Sequence, residues 1–530
     1  MNSLTGTRTL VRLALRRDRI MLPVWVVVLG LVPASTAGAY DQLYPEAKDR
    51  ASLAVGGNNP AVAVLYGKAY DLTTAGGFTA WRYGVFLGVF IGLMATFTVM
   101  RHTRSEEDTG RLELLSAGVL GRNASLTAAV LVSGGASILI GLVQVLAMAG
   151  SGLSATGSLA LGAGVAACGL VFTGVAAIAA QVFTYSRTAN GVSCAVIGVL
   201  FLLRAVGDSS PSAQWASWLS PIGWIELSRP FAGERFWVLL LPLVLAGLLV
   251  AVAFQLQPRR DVGAGLVPPR PGPATAAAGL RSPFALAWRL HRGPLIGWTL
   301  AMLVIGGVFG AIATGIGDLV GSSEQTRVMF ERMGGAQGIV DAYIGALGGI
   351  YGLTAGVYAV QATLRMRAEE SALLLEPLLA TKVTRGRWAA SHLAFAILGP
   401  AVLLAAVGLG TGLTYGLRIH DVGTQVPRVL GATLAQLPAV LVMAALAALL
   451  FGLLPNLTGL SWAVLTVFLL ITLFGPILQV SQAVLDVSPF SHVPKLPAAA
   501  FTATPLLWLT GIAVVVFAGA FAGFRRRDIG

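Results

Sequence analysis

Charge is scarce in this 530-residue chain. Only 11% of its residues are Asp, Glu, Lys or Arg, and 56% are hydrophobic, whereas soluble domains carry about 25% charged residues. That shortage excludes a soluble globular protein. Cysteine is scarcer still. Cys168 and Cys194 both lie in apolar stretches, which argues against a disulfide framework or a cysteine metal cluster. The five histidines (102, 291, 392, 420 and 492) are scattered without the spacing of metal ligands. A phosphate-cradling Gly-Lys-Ser/Thr loop is missing, since Gly67-Lys68 is followed by Ala69. His-Glu-x-x-His and Gly-x-Ser-x-Gly are missing too. The expectation is therefore a non-enzyme with no catalytic, metal or cofactor residues of its own. Lysine stands only at positions 48, 68, 382 and 495, so the net charge of +13 comes from arginine. This excess does not point to nucleic acid, because the basic residues flank apolar runs, where membrane topology accounts for them.

What the chain has in quantity is long apolar runs, each a candidate spanning helix. Six lie near 20–40, 83–100, 124–150, 157–184, 190–207 and 236–256. Six more lie near 294–316, 344–364, 389–416, 430–454, 458–480 and 505–524. Most of the 36 Lys and Arg residues fall on one side if both termini are placed inside. The expected fold is an all-α polytopic membrane protein of about twelve helices, N-in and C-in, in a bacterial plasma membrane. Residues 1–256 form the first six-span half, 257–283 a Pro-rich cytoplasmic linker, and 284–530 the second half. Six spans per half make the halves parallel. The basic, apolar-interleaved stretches 8–19 and 283–292 read as interfacial helices on the inner leaflet.

The chain also repeats itself. Arg104-Ser-Glu106-Glu107, then Leu112-Glu113-x-Leu115-x-Ala117 and Arg122, returns as Arg367-Ala-Glu369-Glu370, then Leu375-Glu376-x-Leu378-x-Ala380 and Arg385, 263 residues later throughout. Ala14-x-Arg16-x-x-Arg19 pairs with Ala287-x-Arg289-x-x-Arg292, and Ser220-Pro221 with Ser488-Pro489. Each half closes on one tag, Arg259-Arg260-Asp261-Val262-Gly263 and Arg526-Arg527-Asp528-Ile529-Gly530. Between the second and third spans of each half, these acids predict an amphipathic helix with an exposed acidic edge. A lone charge run is ordinarily a solvated loop, but solvation does not require the same acid spacing twice. A paired docking surface does. Gly110 of the first copy is replaced by Leu373 in the second, and Pro377 stands where the first has Leu114.

Polar residues within the spans are few. Gln144, Gln181, Gln361 and Gln436, with Arg204 near the outer end of the fifth span, are candidates for a translocation path or for helix–helix hydrogen bonds. The outer segments 208–235 and 483–504 read equally as re-entrant elements or as interface anchors.

Six spans per half, an interfacial helix before the first, Glu-Glu-x5-Glu between the second and third, and a Ser-Pro outer segment before the sixth resemble the type-two ABC exporter permeases. The single-chain form is similar to actinobacterial antibiotic and multidrug exporters. The resemblance covers nearly the whole chain. It implies export of amphiphilic compounds and two copies of a separate cytoplasmic ATPase that hold the ATP and Mg. It also implies an ATPase-coupling interface at Arg104, Glu106, Glu107, Glu113, Arg367, Glu369, Glu370 and Glu376. The alternatives are an ABC exporter of a lipid or glycan and an ion-coupled twelve-span carrier. Asp108-Thr-Gly110-Arg111 is a near miss to the loop motif of such carriers, and the second half has no trace of it.

Overall fold

The computed structural model describes residues 3–57, 60–112, 118, 120–209, 211–268, 272, 274–277, 279–320, 335–474 and 481–528. Among them the regular elements are helices, and one isolated parallel bridge joins Phe183 to Val267. Two compact units divide at 272, Met1–Gly272 and Pro273–Gly530.

The first unit holds α1 (Thr7–Arg17), α2 (Met21–Leu43), α3 (Ala47–Gly57), α4 (Pro60–Tyr66), α5 (Ala75–His102), α6 (Arg104–Asp108), α7 (Ala124–Gly150), α8 (Ala155–Val182), α9 (Ser186–Ser209), α10 (Pro221–Leu227) and α11 (Leu240–Leu256). The second holds α12 (Pro283–Val320), α13 (Gly335–Ser371), α14 (Leu375–Leu379), α15 (Arg385–Arg418), α16 (Val422–Leu434), α17 (Leu437–Leu453), α18 (Leu460–Phe474), α19 (Gln482–Leu485) and α20 (Ala503–Arg526). Ten helices among the described residues are long and apolar enough to cross a membrane. The pair Thr7–Arg17 and Met21–Ser35, bent by 74°, would make an eleventh, and Leu460–Thr472 is apolar but shorter.

Local chemistry sets the helix starts. Thr74, Ser154 and Thr384 each accept a hydrogen bond from the amide three residues on, at 3.1, 3.1 and 3.4 Å, which satisfies an otherwise orphaned donor. The repeated Ser-Pro has the same explanation. Ser220 and Ser488 cap the turns that Pro221 and Pro489 open. The core of the first unit gathers Ile91 and Met94 of α5, Ile140 of α7, and Leu161 and Phe172 of α8. Leu131, Ile138, Leu142 and Leu146 of α7 remain exposed. At spacings of seven, four and four they form one stripe, the face turned to lipid.

Small residues let α7 and α8 approach. A Cβ at Gly141 would stand 2.4 Å from the Gly162 carbonyl oxygen, and one at Gly162 would stand 2.6 Å from that of Gly141. Gly162→Val should therefore destabilise the chain by about 1–3 kcal/mol through overpacking. Thermal unfolding in detergent measures this, and an unchanged midpoint would mean that the helix pair re-spaces freely.

Of the two expected interfacial helices, one forms and one does not. In the first unit α1 is a separate helix, because the chain turns at Asp18, whose carboxylate bonds Arg101 and His102 at 2.5 and 2.7 Å. In the second unit no separate interfacial helix forms, and 283–292 opens the 38-residue α12. The position matching Asp18 is His291, which stacks on Phe395 with centroids 4.8 Å apart and stays helical. Within 257–283 one stretch is paired with the first unit. Leu266 and Val267 donate backbone hydrogen bonds to the carbonyls of Gln181 and Val182, 3.1 and 2.9 Å, which holds this stretch to the end of α8.

Candidate functional site: the acidic segments and their arginines

The repeated acids sit where the second long helix of each unit ends. In the first unit α5 and α6 form one apolar-to-charged run, Ala75–Asp108. In the second, Glu369 and Glu370 lie in the last turn of α13. The single amphipathic helix expected here does not form in the second unit, where α13 ends and α14 restarts after a turn. That turn explains an apparent mismatch between the copies. Gly110 and Leu373 occupy matching positions, and both have left-handed backbone, φ 67° and 57°. The second copy holds the same turn without glycine, a conformation that strains a leucine by roughly 1–2 kcal/mol. Pro377 does not bend a long helix. It falls in the first turn of the five-residue α14, where a missing N–H matters little.

Four acids of the expected exposed edge are not exposed. Glu106, Glu369 and Glu370 are buried, and the Glu107 side chain is only 4% exposed. Uncompensated carboxylates could not be buried, and each has a cation of its own unit. Arg17 of α1 meets Glu106 at 2.5 Å. Arg104, fully buried, donates to Glu107 at 2.7 Å, to the Ala180 carbonyl at 2.5 Å and to the Ala264 carbonyl at 2.7 Å. Arg260 of the closing tag grips Glu107 with two bonds, 2.6 and 2.8 Å, and reaches Gln181 Oε1 at 2.6 Å. The Gly263 amide also donates to Glu107, at 3.2 Å.

The second unit repeats the plan with other chemistry. Arg527, the tag residue matching Arg260, donates to Glu370 at 2.6 Å, while Arg367 stands 3.9 Å from the same carboxylate. The Arg527 guanidinium lies over Phe451 and Phe524, 4.8 and 5.3 Å from the ring centroids. Arg365 donates to Glu369 at 3.2 Å, and His392, hydrogen bonded to His291 at 3.0 Å, stands 3.6 Å from it. Arg122 and Arg385, themselves a repeated pair, secure the two tags by bonding the Pro258 and Arg527 carbonyls at 2.7 and 2.9 Å. Glu376 is exposed, beside the exposed Leu373 and Leu374. Glu113 lies outside the described residues.

A family profile described as "Multidrug efflux system permease Rv1217c, C-terminal domain" matches residues 8–256 and 280–525, one stretch in each unit. The multidrug efflux system permease protein Rv1217c of Mycobacterium tuberculosis (strain ATCC 25618 / H37Rv) is 43% identical over 529 residues, covering 99% of this chain and 95% of that protein. The chain belongs to the multidrug efflux system permease family. It is a multi-pass bacterial membrane protein, a transporter subunit rather than an enzyme.

The polar residues within the permease's spans have separate surroundings. Gln144 is buried and donates to the Leu29 carbonyl at 2.9 Å. Gln181 serves the tag. Gln361 is exposed and accepts from Trp298 at 2.9 Å. Gln436 is buried, with no hydrogen-bond partner for its Oε1. Arg204 is fully buried at the end of α9 and anchors a cluster that sequence reasoning did not find. It donates to the Ala63 and Val64 carbonyls at 3.1 and 2.7 Å and to Asp208 at 3.2 Å, and lies 3.5 Å from Glu226 of α10. It thereby ties the α4 segment to α9 and α10. Burial pushes the Glu226 carboxyl well above its usual range; Arg204 pulls it down, and Asp208 pushes it up.

Proposed function

We propose that this permease is the membrane-spanning subunit of an ATP-driven exporter of amphiphilic compounds such as antibiotics and drugs. Both termini and both acidic segments lie on the cytoplasmic side. Two copies of a separate ATPase, which carry the ATP and Mg, dock on the segments that run from Arg104 to Arg122 and from Arg367 to Arg385. The coupling region comprises Arg104, Glu106, Glu107, Glu113, Arg367, Glu369, Glu370 and Glu376. Gln144, Gln181, Arg204, Gln361 and Gln436 keep both readings, a translocation path or hydrogen bonds that join neighbouring helices.

One observation carries this reading. Each unit ends its second long helix in the same left-handed turn, backed by the same buried acid–arginine pairing. In the second unit that turn presents Leu373 and Leu374, 63% and 56% exposed, with Glu376. An apolar residue that is both strained and left uncovered by its own unit points to a covering partner. The sequence carries no phosphate-binding loop of its own, so in this reading the partner supplies the ATP hydrolysis.

Native mass spectrometry of the assembled complex should give one permease to two ATPase subunits. Leu373→Asp should reduce ATPase co-purification at least tenfold, with membrane insertion intact. A complex with two permease chains, or a wild-type permease that captures no ATPase, would overturn the reading.

A further inference from the structure

The carboxylates most prominent in the repeat do not face outward. Glu107 and Glu370 are each turned into their own unit and used there by the arginine that follows the last long helix, Arg260 after α11 and Arg527 after α20. In sequence these partners are 153 and 157 residues apart, so the pairing is tertiary. In both units the carboxylate belongs to the acidic turn and the arginine to the closing tag.

The first unit shows how tightly the tag is held. Glu107 accepts two bonds from Arg260 and one from the Gly263 amide, and Arg104 holds the Ala264 carbonyl. Leu266 and Val267 pair with the end of α8. In the second unit Arg527 joins Glu370 to the faces of Phe451 and Phe524, and its carbonyl takes Arg385. Charge-assisted and bidentate pairs of this kind fix geometry as well as adding energy.

We infer that the tag closing each unit is a clip. Glu107 and Glu370 are positioning residues that lock it, so that displacement of the acidic segment is carried directly into the last long helix of the same unit. This rests on the reading that an ATPase pushes on the acidic segments. It assigns these two carboxylates to transmission within the permease rather than to contact with the ATPase.

The lock can be tested with and without the ATPase. Hydrogen–deuterium exchange of the full chain in detergent should find the amides of 261–267 protected, and Glu107→Ala should speed their exchange at least tenfold. In cells, Arg260→Ala and Arg527→Ala should each lower ethidium efflux severalfold, and the double variant at least tenfold. The same ATPase should co-purify at wild-type yield, but ethidium should no longer stimulate its hydrolysis. Arg260→Lys and Arg527→Lys should fall between, keeping the charge but losing the planar fork. Wild-type efflux in the double variant would overturn the inference. ATPase yield falling in step with efflux would also overturn it, because the residues would then act in docking. If the wild-type chain captures no ATPase, the exporter reading falls alone; the clip then stands if faster exchange and lost efflux occur together, and falls if they separate.

Discussion

Arg204→Met should be among the most destabilising single changes in the first unit. The side chain is fully buried, and its loss leaves Asp208 and Glu226, whose side chains are 8% and 9% exposed, without their cation. It also removes the guanidinium bonds to the Ala63 and Val64 carbonyls. Removing one partner of a buried ionic set costs about 3–5 kcal/mol, while removing the whole set can be close to neutral. For a unit of this size the melting midpoint should fall on the order of 10 °C. Arg204→Met combined with Asp208→Asn and Glu226→Gln should recover most of that loss. A single variant melting within about 2 °C of the parent would show that the cluster contributes little. Glu226 adds a pH dependence. Its carboxyl holds a proton more tightly in the folded chain than its ordinary value of 4.5, so the folded state binds more protons than the unfolded one. Stability from this group is fully present below that ordinary value and is lost as pH rises through the raised one. Glu226→Gln, which mimics the protonated acid, should flatten the alkaline side of the stability curve.

This cluster shows where sequence reading stops. The spans were legible because twenty-residue apolar runs have few alternatives, and the duplication was legible because landmarks return in order. The Ser-Pro pairs could also be read locally, since a cap and a first-turn proline are neighbours in the chain. The partners of Arg204 could not, because two of them are backbone carbonyls at 63 and 64, which carry no side-chain signature. The shared left-handed turn was hidden by its residues, glycine in one copy and leucine in the other. The acids are legible as repeated elements and Glu376 is exposed as expected, but the burial of Glu106, Glu107, Glu369 and Glu370 is not legible. Helical spacing reports which residues share a face, not what covers that face, and here the cover comes from the tag more than 150 residues away. One signal was available: the repeat contains both unpaired acids and unpaired arginines, and pairing one repeated set with the other would have joined Glu107 to Arg260 and Glu370 to Arg527.

The two locks should fail unequally, and in opposite order for acid and base. Glu107 accepts from Arg104, twice from Arg260 and once from Gly263. Glu107→Ala therefore leaves two arginines without their carboxylate, one of them fully buried, and should cost about 3–5 kcal/mol. Among the described residues the Glu370 carboxylate accepts one hydrogen bond, from Arg527, which keeps its contacts with Phe451 and Phe524 when the acid is gone. Glu370→Ala should then cost about 1.5–3 kcal/mol, the range for a single bond to a charged group. For the arginines the ranking reverses. Arg260→Ala leaves Glu107 paired with Arg104 at 2.7 Å, whereas Arg527→Ala leaves Glu370 with Arg367 at 3.9 Å. Ethidium efflux from cells expressing each variant at matched levels should thus fall furthest for Glu107→Ala in the first unit. In the second unit Arg527→Ala should lower efflux at least as much as Glu370→Ala. Equal losses for all four variants would mean that the hydrogen bonds do not set the strength of the locks. Greater loss from Arg260→Ala than from Glu107→Ala would mean that Arg104 does not share the load.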